Sequence, residues 1–542
     1  MNSKLLFYHF VNVQTGGANK YLWKTLEHNG VLFPPEYEKH DVPIIYDGKE
    51  IILDKDAEEA ATLFARYYEH ENFKNKTFRK NFWRDWKKIL GKNNIIKNLD
   101  LVDFKPIYEH LLLEKEKKKL DTSKRELQQQ EEEKYKYAIV DSNIQTVGNF
   151  RIEPPGIFMG RGCNPNLGKI KPRIYPEDIV INIGRESKIP EPIPGHKWKR
   201  VIHDRTVEWL AGWKDIITGK MKYVRLAANS EFKSRNDAEK FDLARKLKTK
   251  IDKIRKVNKK NLISSDIKLR QIATSLYFID NFALRVGNEK SSDTADTVGV
   301  SSLRVEHVKL LDDNKIKLDF LGKDSVRYNK VLSVIPEVYE NISEFIRDKD
   351  KNSDLFDKIN SSDINKYLKT FMKGLTAKVF RTYNASNLFQ EELKKLDMTI
   401  NNYTDDDKIN YLLDGYNRAN ARVATLCNHQ KNITKSSNTQ IEKLNTMIKE
   451  INKKLLIENS NEKKNKKKID RLKKQLKRLK AKKKIKIELK NISLGTSKIN
   501  YIDPRISIAF IKRYNIPISK VFTKTLQEKF LWANDIDENF VF

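Results

Sequence analysis

Five polar residues, far apart in the chain, have the side chains needed for transfer chemistry at a phosphate group. They are one tyrosine, two arginines, one lysine and one histidine: Tyr501, Arg285, Arg381, Lys323 and His429. A tyrosine phenol can displace a phosphate ester and hold the phosphoryl group covalently. Because its ordinary pKa is about 10, the phenol is a weak nucleophile at neutral pH and needs help from its surroundings.

The other four side chains could supply that help. Negative charge spreads over the non-bridging oxygens in the transition state, and arginine forks such as Arg285 and Arg381 bind such oxygens in pairs. His429 could donate a further hydrogen bond, and Lys323 could protonate the leaving 5′ oxygen as a general acid. Preorganised donors of this kind are usually the largest catalytic term. The scheme needs no metal and no cofactor, and we predict neither.

The acidic residues of the sequence do not indicate a metal site. The sequence has no HExxH motif and no convincing carboxylate cluster. The run Asp405-Asp406-Asp407 precedes a helical pattern, and we interpret it as charge that complements a helix N-terminus rather than as a metal site.

Two different elements must position Arg285 and Lys323. Apolar residues at helical spacing over 266–290 predict a helix that carries Arg285 at its C-terminal end. Alternating apolar residues over 314–321, a turn over 322–324 and a second extended run predict a β-hairpin with Lys323 at its tip.

The remaining three residues are assigned to helices and to a compact segment. Residues 364–386 and 408–430 follow helical patterns, and these stretches contain Arg381 and His429. Tyr501 lies in LGTSKINYIDPRI, a short segment with a glycine and an Asp-Pro pair that follows a long lysine-rich tract.

Composition narrows the class of partner. The 542 residues carry a net charge of +33, and 39% of them are hydrophobic, which is enough for several domains with real cores. So positive a surface favours nucleic acid as the partner. Cys163 and Cys427 form no CxxC pair, which argues against a disulfide framework or zinc finger. Since no apolar run is long enough to cross a bilayer, we expect no membrane partner.

About half of the net charge lies in one tract. Residues 431–490 hold 22 Lys and Arg but six Asp and Glu, with apolar residues spaced by three and four in two runs. This pattern predicts an antiparallel coiled-coil hairpin, which we interpret as an arm that skirts nucleic acid. A structural spacer with a solvated basic surface is the alternative.

A Pro- and Gly-rich region, 152–182, predicts loops and short strands. It carries several basic residues, including Arg161. The region could lie along a nucleic-acid backbone, or it could be an ordinary connection between strands.

Nine long stretches of the sequence are specific enough to compare with known families: KTLEHNGVLFPPEY, IEPPGIFMGRG, PGHKWK, ALRVGNEK, TADTVGVSSLRVEH, FLGKDS, GLTAKVFRTYNAS, LCNHQ and LGTSKINYIDPRI. Through these stretches the chain, from about residue 20 to the end, resembles the eukaryotic nuclear DNA topoisomerase I family, the type IB enzymes.

The resemblance implies an isomerase that relaxes supercoiled duplex DNA. Tyr501 would form a 3′-phosphotyrosyl bond with one strand. Arg285, Arg381 and His429 would stabilise the transition state, and Lys323 would be the general acid. The broken strand would rotate about the intact one and then be resealed, without ATP or a required metal.

The resemblance also implies sets of binding residues. The DNA contacts would include Arg161, Lys290, Thr297, Lys378 and Asn500. Members of the family are targets of camptothecin-type inhibitors, which act on the cleavage complex. The inhibitor contacts would be Arg161, Asp324 and Asn500.

The implied fold is α+β, a bilobed DNA clamp. Residues 1–226 would form a mixed α/β cap with core subdomains I and II, and 227–432 a mainly helical catalytic lobe with a small hairpin sheet. A coiled-coil linker, 433–490, would lead to a small helical C-terminal domain, 491–542, with the tyrosine. We expect a nuclear monomer.

The sequence departs from the family's pattern in two places. Family members usually have a long, charged N-terminal region with nuclear-import signals, which this sequence does not show. The tract 433–490 is also shorter and richer in lysine than the usual linker.

Three other classes of protein fit the sequence less well. A tyrosine recombinase shares the tyrosine and the arginine pair, but typically shows HxxR where this chain has Lys378-Val-Phe-Arg381. A non-enzymatic DNA clamp would suit the charge but would not need the five polar residues. An RNA-binding protein should show aromatic stacking motifs on a sheet, and the sequence has none that we recognise.

Overall fold

The structure is a computed structural model that describes residues 21–120, 123–160, 162, 164–287, 296–398, 400, 405–431, 435–460 and 465–542. It is an α+β protein with two compact units, the first ending at Lys233 and the second spanning Ser234–Phe542. Among the described residues, no helix is long and apolar enough to cross a membrane.

The described residues of the first unit form small sheets and four complete helices, numbered in chain order. Its strands are β1 Leu26–His28, β2 Ile44–Tyr46, β3 Lys49–Ile51, β4 Val102–Asp103, β5 Tyr137–Val140, β6 Asn143–Thr146, β7 Gly156–Ile157, β8 Ile170–Lys171, β9 Val180–Asn182, β10 Arg200–Ile202, β11 Trp209–Lys214 and β12 Met221–Arg225. Its helices are α1 Lys55–Ala65, α2 Lys76–Leu90, α3 Lys105–Leu120 and α4 Ser123–Glu133.

These strands form small separate sheets. Their orders are β1-β5-β6, β3-β2-β4, β10-β9-β11-β12 and the pair β7-β8. Strands β9 and β10 pair in parallel, and the other pairs are antiparallel. The four-stranded sheet shares one apolar core with the β1-β5-β6 sheet, and Ile181 and Ala211 are fully enclosed in it.

Helix α2 shows how the helical part of this unit is held. The Asn75 side chain accepts hydrogen bonds from the first turn of the helix, and Phe78, Phe82 and Trp86 are fully buried at intervals of four residues. The Phe82 ring stacks on Phe64 of α1, with the ring centroids 4.0 Å apart. One apolar face therefore fixes α2 against α1.

The Pro- and Gly-rich region has the predicted loops and short strands, β7, β8 and β9. Gly168 has a φ of +93° and lies against the backbone of α2. A Cβ atom on Gly168 would stand 2.2 Å from the Phe78 carbonyl oxygen. Only glycine fits here, because both the conformation and the close approach exclude a side chain.

The second unit is mainly helical with one antiparallel sheet, β13-β14-β15. The strands are β13 Val308–Leu311, β14 Lys315–Leu321 and β15 Arg327–Ser333. The helices are α5 Glu231–Lys248 (which begins at the end of the first unit), α6 Ile251–Asn261, α7 Ile267–Phe282, α8 Pro336–Ile346, α9 Ser361–Phe371, α10 Ala377–Asp397, α11 Asp405–Leu426, α12 Lys435–Ser460, α13 Lys466–Glu488, α14 Leu494–Asn500, α15 Pro504–Arg513 and α16 Lys524–Lys529.

The hairpin prediction is confirmed, whereas the predicted C-terminal ends of the helices over 266–290 and 408–430 were wrong, since the second of these helices ends at Leu426. Strands β14 and β15 pair antiparallel, and Lys323 lies in the turn between them. Helix α7 ends at Phe282 because Ala283 adopts a left-handed conformation, with φ 49° and ψ 34°. Arg285 therefore lies beyond the helix and not at its C-terminal end as predicted.

The stretch 364–386 is also not continuous helix. Helix α9 ends at Phe371, and Gly374, with a φ of +83°, lies in the turn before α10. Arg381 is consequently in the second turn of a new helix, which fixes its position relative to the α10 N-terminus.

The predicted antiparallel helical hairpin is present as α12 and α13. Lys468 and Glu458 form an ion pair of 2.7 Å near the turn, while Lys486 and Gln440 are hydrogen bonded at the other end. Leu444 and Ile451 of α12 and Ile469 and Leu472 of α13 are buried. Contacts at both ends fix the antiparallel register.

The segment around Tyr501 consists of two short helices. Tyr501 directly follows α14, and α15 begins two residues after Ile502. Asp503 caps α15 by accepting a 3.0 Å hydrogen bond from the Arg505 backbone N–H, and Pro504 takes the first helical position. The Asp-Pro pair in the sequence is thus the start signal of α15.

Candidate active site

The structure brings four of the five predicted chemical residues to one cleft in the second unit. Arg285, Lys323, Arg381 and His429 line this cleft, which has a volume of about 110 Å³. Arg285 comes from the segment after α7, Lys323 from the β14–β15 turn, and Arg381 from α10. His429 follows the end of α11. Tyr501 joins the group through ring contacts with Arg381 and His429.

Arg381 is a buried cation held by backbone carbonyls. Its guanidinium donates hydrogen bonds to the carbonyl oxygens of Ala283 and Cys427, and the residue is only 5% exposed. The left-handed conformation of Ala283 therefore directs its carbonyl oxygen toward Arg381. Arg285 follows two residues later in the chain. Burial lowers the pKa of Arg381 below that of an ordinary arginine, but the side chain remains charged.

His429 is buried and neutral. Its Nε2 lies 3.3 Å from Nη2 of Arg381, and its Nδ1 lies 2.7 Å from the Ser497 hydroxyl oxygen. Burial, together with the positive charges of Arg381 and Arg285, lowers the pKa of His429 from 6.5 to about 3. The imidazole thus carries no charge at physiological pH.

The Tyr501 phenol lies among positive charges. Its ring stacks on His429 with ring centroids 5.3 Å apart and an interplanar angle of 27°, and Cζ of Arg381 lies 5.0 Å from the Tyr501 ring centroid. Burial alone would raise the pKa of Tyr501, but the charges of Arg381 and Arg285, with a hydrogen bond from Arg285, produce a net lowering. The phenolate is therefore stabilised where a nucleophile needs it.

Two serines fix the backbone of Tyr501. The Ser386 hydroxyl on α10 donates to the Tyr501 carbonyl oxygen over 3.0 Å and accepts from the Asp503 N–H, also over 3.0 Å. The Ser497 carbonyl accepts from the Tyr501 N–H over 2.9 Å. These bonds would hold a nucleophile in place, and a misplacement of about 1 Å can reduce a reaction rate about 100-fold.

A pair of glycines supports the segment that carries Arg285. Gly287 and Gly299 pack backbone to backbone, and a Cβ atom on Gly299 would stand 2.4 Å from the Gly287 Cα and 2.8 Å from the Arg285 carbonyl oxygen. Val300 donates a 2.9 Å backbone hydrogen bond to that same carbonyl. The backbone next to Arg285 therefore leaves no room for a side chain at position 299.

We expect Gly299→Ala to displace the Arg285 segment. Gly299 has a φ of −127°, which alanine also adopts, so the effect comes from the clash and not from backbone strain. Overpacking of this kind should lower the free energy of unfolding by about 1–3 kcal/mol, and displacement of Arg285 should slow strand cleavage by about 10–100-fold. Urea unfolding and single-turnover cleavage measure the two effects.

Gly156→Ala is the matched control for this prediction. A Cβ atom at Gly156 would meet only the Pro154 carbonyl oxygen, at 4.0 Å, so the free energy of unfolding and the cleavage rate should both stay near those of the unmodified protein. Equal behaviour of the two variants would contradict the assigned role of the Gly287–Gly299 contact.

The residues predicted to contact DNA or an inhibitor have more varied positions. Asn500 is exposed at the end of α14, and Lys378 is exposed near the start of α10. Thr297 is half-buried and precedes Val298, which lines the cleft. Asp324 follows Lys323 and lines the same cleft. Arg161 and Lys290 lie outside the described residues, and all these contact roles stay predictions.

Sequence reasoning missed Ser386 and Ser497. Both lie in stretches already singled out, GLTAKVFRTYNAS and LGTSKINYIDPRI, and Ser497 precedes Tyr501 by one helical turn. Their partners are 115 and 68 residues away, so no local spacing shows the hydrogen bonds. Within the described parts of the chain, no group of three or more His, Cys, Asp or Glu side chains could hold a metal ion.

The arrangement suits in-line displacement at a phosphodiester. A stabilised phenol is surrounded by two guanidinium groups, and a lysine enters the same cleft from the hairpin turn. Arginine forks favour the charge of a pentacoordinate phosphate, and an ammonium group can protonate a leaving alkoxide.

Comparison with protein-family models matches nearly the whole chain in three parts. Residues 21–226 match the DNA binding fragment of eukaryotic DNA topoisomerase I, and residues 229–462 match the catalytic core of the same family. Residues 473–542 match a C-terminal topoisomerase domain.

Curated relatives agree with these matches. The chain is 46% identical over 556 residues to DNA topoisomerase 1 beta of Arabidopsis thaliana, covering 97% of this chain and 60% of the plant protein. It is 43% identical to DNA topoisomerase 1 of Caenorhabditis elegans, covering 96% and 68%, and 42% identical to that of Homo sapiens, covering 96% and 72%. The chain therefore spans about three fifths of the plant relatives' length.

Proposed function

The chain belongs to the eukaryotic DNA topoisomerase I family, and we propose that it relaxes supercoiled duplex DNA through a 3′-phosphotyrosyl intermediate at Tyr501. One observation carries this proposal: the Tyr501 ring stacks on His429 and lies beside the buried Arg381 guanidinium. A tyrosine needed only for packing would not require two positive groups that lower the pKa of its phenol.

Cleavage begins with attack of the Tyr501 phenol oxygen on a strand phosphorus. A bond forms between that oxygen and phosphorus, the bond from phosphorus to the 5′ oxygen breaks, and the phenol proton leaves to solvent. Arg285, Arg381 and His429 bind the non-bridging oxygens as charge develops. Lys323 donates a proton to the 5′ oxygen, which departs as a hydroxyl group.

Resealing reverses these steps. The free 5′ hydroxyl attacks the phosphotyrosine, its proton returns to Lys323, and the Tyr501 phenolate leaves. Cleavage replaces one phosphodiester bond with one phosphotyrosyl bond, and resealing restores the phosphodiester. The cycle therefore consumes no high-energy cofactor. The torsional energy of supercoiled DNA drives strand rotation between the two steps. We therefore propose a reaction that needs neither ATP nor a metal.

The rest of the chain would hold the duplex. We propose a clamp in which a cap, 1–226, and a catalytic lobe, 227–432, enclose DNA, with the linker 433–490 and the C-terminal domain 491–542 completing it. The basic α12–α13 arm would skirt the duplex and restrain rotation. Counterion release from phosphates makes such binding strongly dependent on salt.

Further contacts belong to the same proposal. DNA would be held by Arg161, Lys290, Thr297, Lys378 and Asn500. Camptothecin-type inhibitors would bind the cleavage complex through Arg161, Asp324 and Asn500. We also propose a nuclear location and a monomeric state.

Relaxation of a negatively supercoiled plasmid in EDTA without ATP tests the function. We expect a ladder of topoisomers after the protein is removed with detergent, because the scheme uses only protein side chains. The control is the same reaction with Mg²⁺ and ATP, which should give relaxation to the same end point. Added camptothecin should increase the nicked product trapped by detergent.

The rival functions predict different products. A non-enzymatic clamp would leave the linking number unchanged once the protein is removed. A tyrosine recombinase would join two target-bearing DNA molecules into recombinant products, and simple relaxation of one plasmid would not require a second site. Relaxation that appears only with a metal or ATP would contradict the proposed mechanism.

A further inference from the structure

We propose that Ser497 is a positioning residue that sets the tautomer of His429 and lets it change when a phosphate enters the cleft. The inference rests on the proposed function, because His429 acts there on the scissile phosphate. Ser497 lies on α14, four residues before Tyr501, and is completely buried. Its hydroxyl is 2.7 Å from Nδ1 of His429.

The protonation state of His429 follows from its two neighbours. Arginine has only donors, so the 3.3 Å contact between Arg381 Nη2 and His429 Nε2 requires Nε2 to accept. The single proton of the neutral ring must then be on Nδ1, where it is donated to the Ser497 hydroxyl oxygen. The free protein therefore holds His429 with Nε2 unprotonated.

A bound phosphate reverses this requirement. Its oxygens are acceptors, so His429 can help only by presenting a proton on Nε2. The ring stays neutral if Nδ1 releases its proton to water as Nε2 gains one from water. The Ser497 hydroxyl then rotates and donates to Nδ1. A hydroxyl can both accept and donate, whereas an amide N–H or a carboxylate could serve only one of these tautomers.

Ser497 also couples this switch to the nucleophile. Its carbonyl oxygen accepts from the Tyr501 N–H over 2.9 Å and from the Ile502 N–H over 3.0 Å. A second hydrogen bond joins His429 to the residues just before α14, since the Ser493 N–H donates to the His429 carbonyl oxygen over 2.8 Å. Ser497 therefore contacts both the His429 ring and the backbone of Tyr501.

Nitrogen-15 spectroscopy of histidine-labelled protein tests the tautomer directly. Long-range proton–nitrogen correlation spectra identify the protonated ring nitrogen, and a His429→Gln variant assigns the signal. We expect Nδ1–H in the free protein and Nε2–H when the Tyr501→Phe variant is bound to a DNA duplex. Nε2–H already in the free protein, or the same protonated nitrogen in both states, would overturn the inference.

Single-turnover cleavage tests the consequence for the reaction. With a duplex whose short downstream strand dissociates after cleavage, we expect Ser497→Ala to slow cleavage by about 10–100-fold, with duplex affinity changed by less than about twofold. Ser507→Ala is the matched control, because Ser507 is buried in the same segment and bonds the Tyr416 hydroxyl over 2.8 Å. It should cleave at the rate of the unmodified protein.

The outcomes separate the inference from the function on which it rests. If the unmodified protein fails to cleave, the proposed function fails, while the spectrum of the free protein still decides the tautomer. If Ser497→Ala cleaves like the unmodified protein, or loses cleavage only as much as Ser507→Ala, the switching role of Ser497 is wrong.

Discussion

Tyr501→Phe is expected to abolish DNA relaxation and the formation of covalent protein–DNA complexes. The substitution removes only the phenol oxygen, and loss of a nucleophile typically lowers a rate by about 10⁴-fold or more. The ring contacts with His429 and Arg381 do not need that oxygen, so the fold and duplex binding should be retained. Plasmid relaxation and a filter-binding isotherm measure the two properties on the same preparation.

Tyr416→Phe provides the control for this substitution. The Tyr416 hydroxyl bonds Ser507 inside the same unit, so its loss removes a buried hydrogen bond without touching the cleft. Tyr416→Phe should relax plasmid at nearly the normal rate. Residual relaxation by Tyr501→Phe near the normal rate would move the chemistry to another residue.

Arg381→Lys has the second largest expected effect. Lysine keeps the positive charge but loses the fork that reaches the Ala283 and Cys427 carbonyls, contacts His429 and faces the Tyr501 ring. We expect single-turnover cleavage to slow by about 10²–10³-fold, as when one preorganised donor is removed. The single-turnover rate constant for cleavage at saturating protein measures this loss independently of affinity.

The control for Arg381→Lys is Arg255→Lys. Arg255 also uses its fork, in a paired interaction with Asp280 in the same unit, with distances of 2.7 and 3.0 Å. Its substitution should affect stability more than cleavage. If both lysine variants cleave equally fast, the guanidinium geometry of Arg381 is not used in catalysis.

Elements with a strong period could be predicted from the sequence. Alternation over 314–321 located β14, and the turn that follows placed Lys323 at the hairpin tip. Apolar residues spaced by three and four located α12 and α13, because a long amphipathic pattern leaves little choice of structure. In each case the periodic pattern lies within one short stretch of sequence, and the element that it predicts forms within the same stretch.

Features set by contacts between distant residues could not be predicted. Helix α7 ends eight residues before the predicted boundary at residue 290, because the Ala283 carbonyl turns toward Arg381, 98 residues later in the chain. The bond between Ser497 and His429 likewise joins segments on opposite sides of the arm. The identities of the five chemical residues came from the sequence, while the pKa changes at Tyr501 and His429 depend on burial and charges that only folding brings together.

The position of the covalent bond tests the central claim most directly. A duplex labelled at the 5′ end of the cleaved strand would be incubated with the protein, trapped with detergent and digested with trypsin. Cleavage after Lys498 and Arg505 releases a peptide of residues 499–505 whose single tyrosine is Tyr501. We predict that this peptide carries the 5′-labelled strand through a 3′ phosphate. Label retained only from the 3′ end, or DNA attached to any other peptide, would contradict the account.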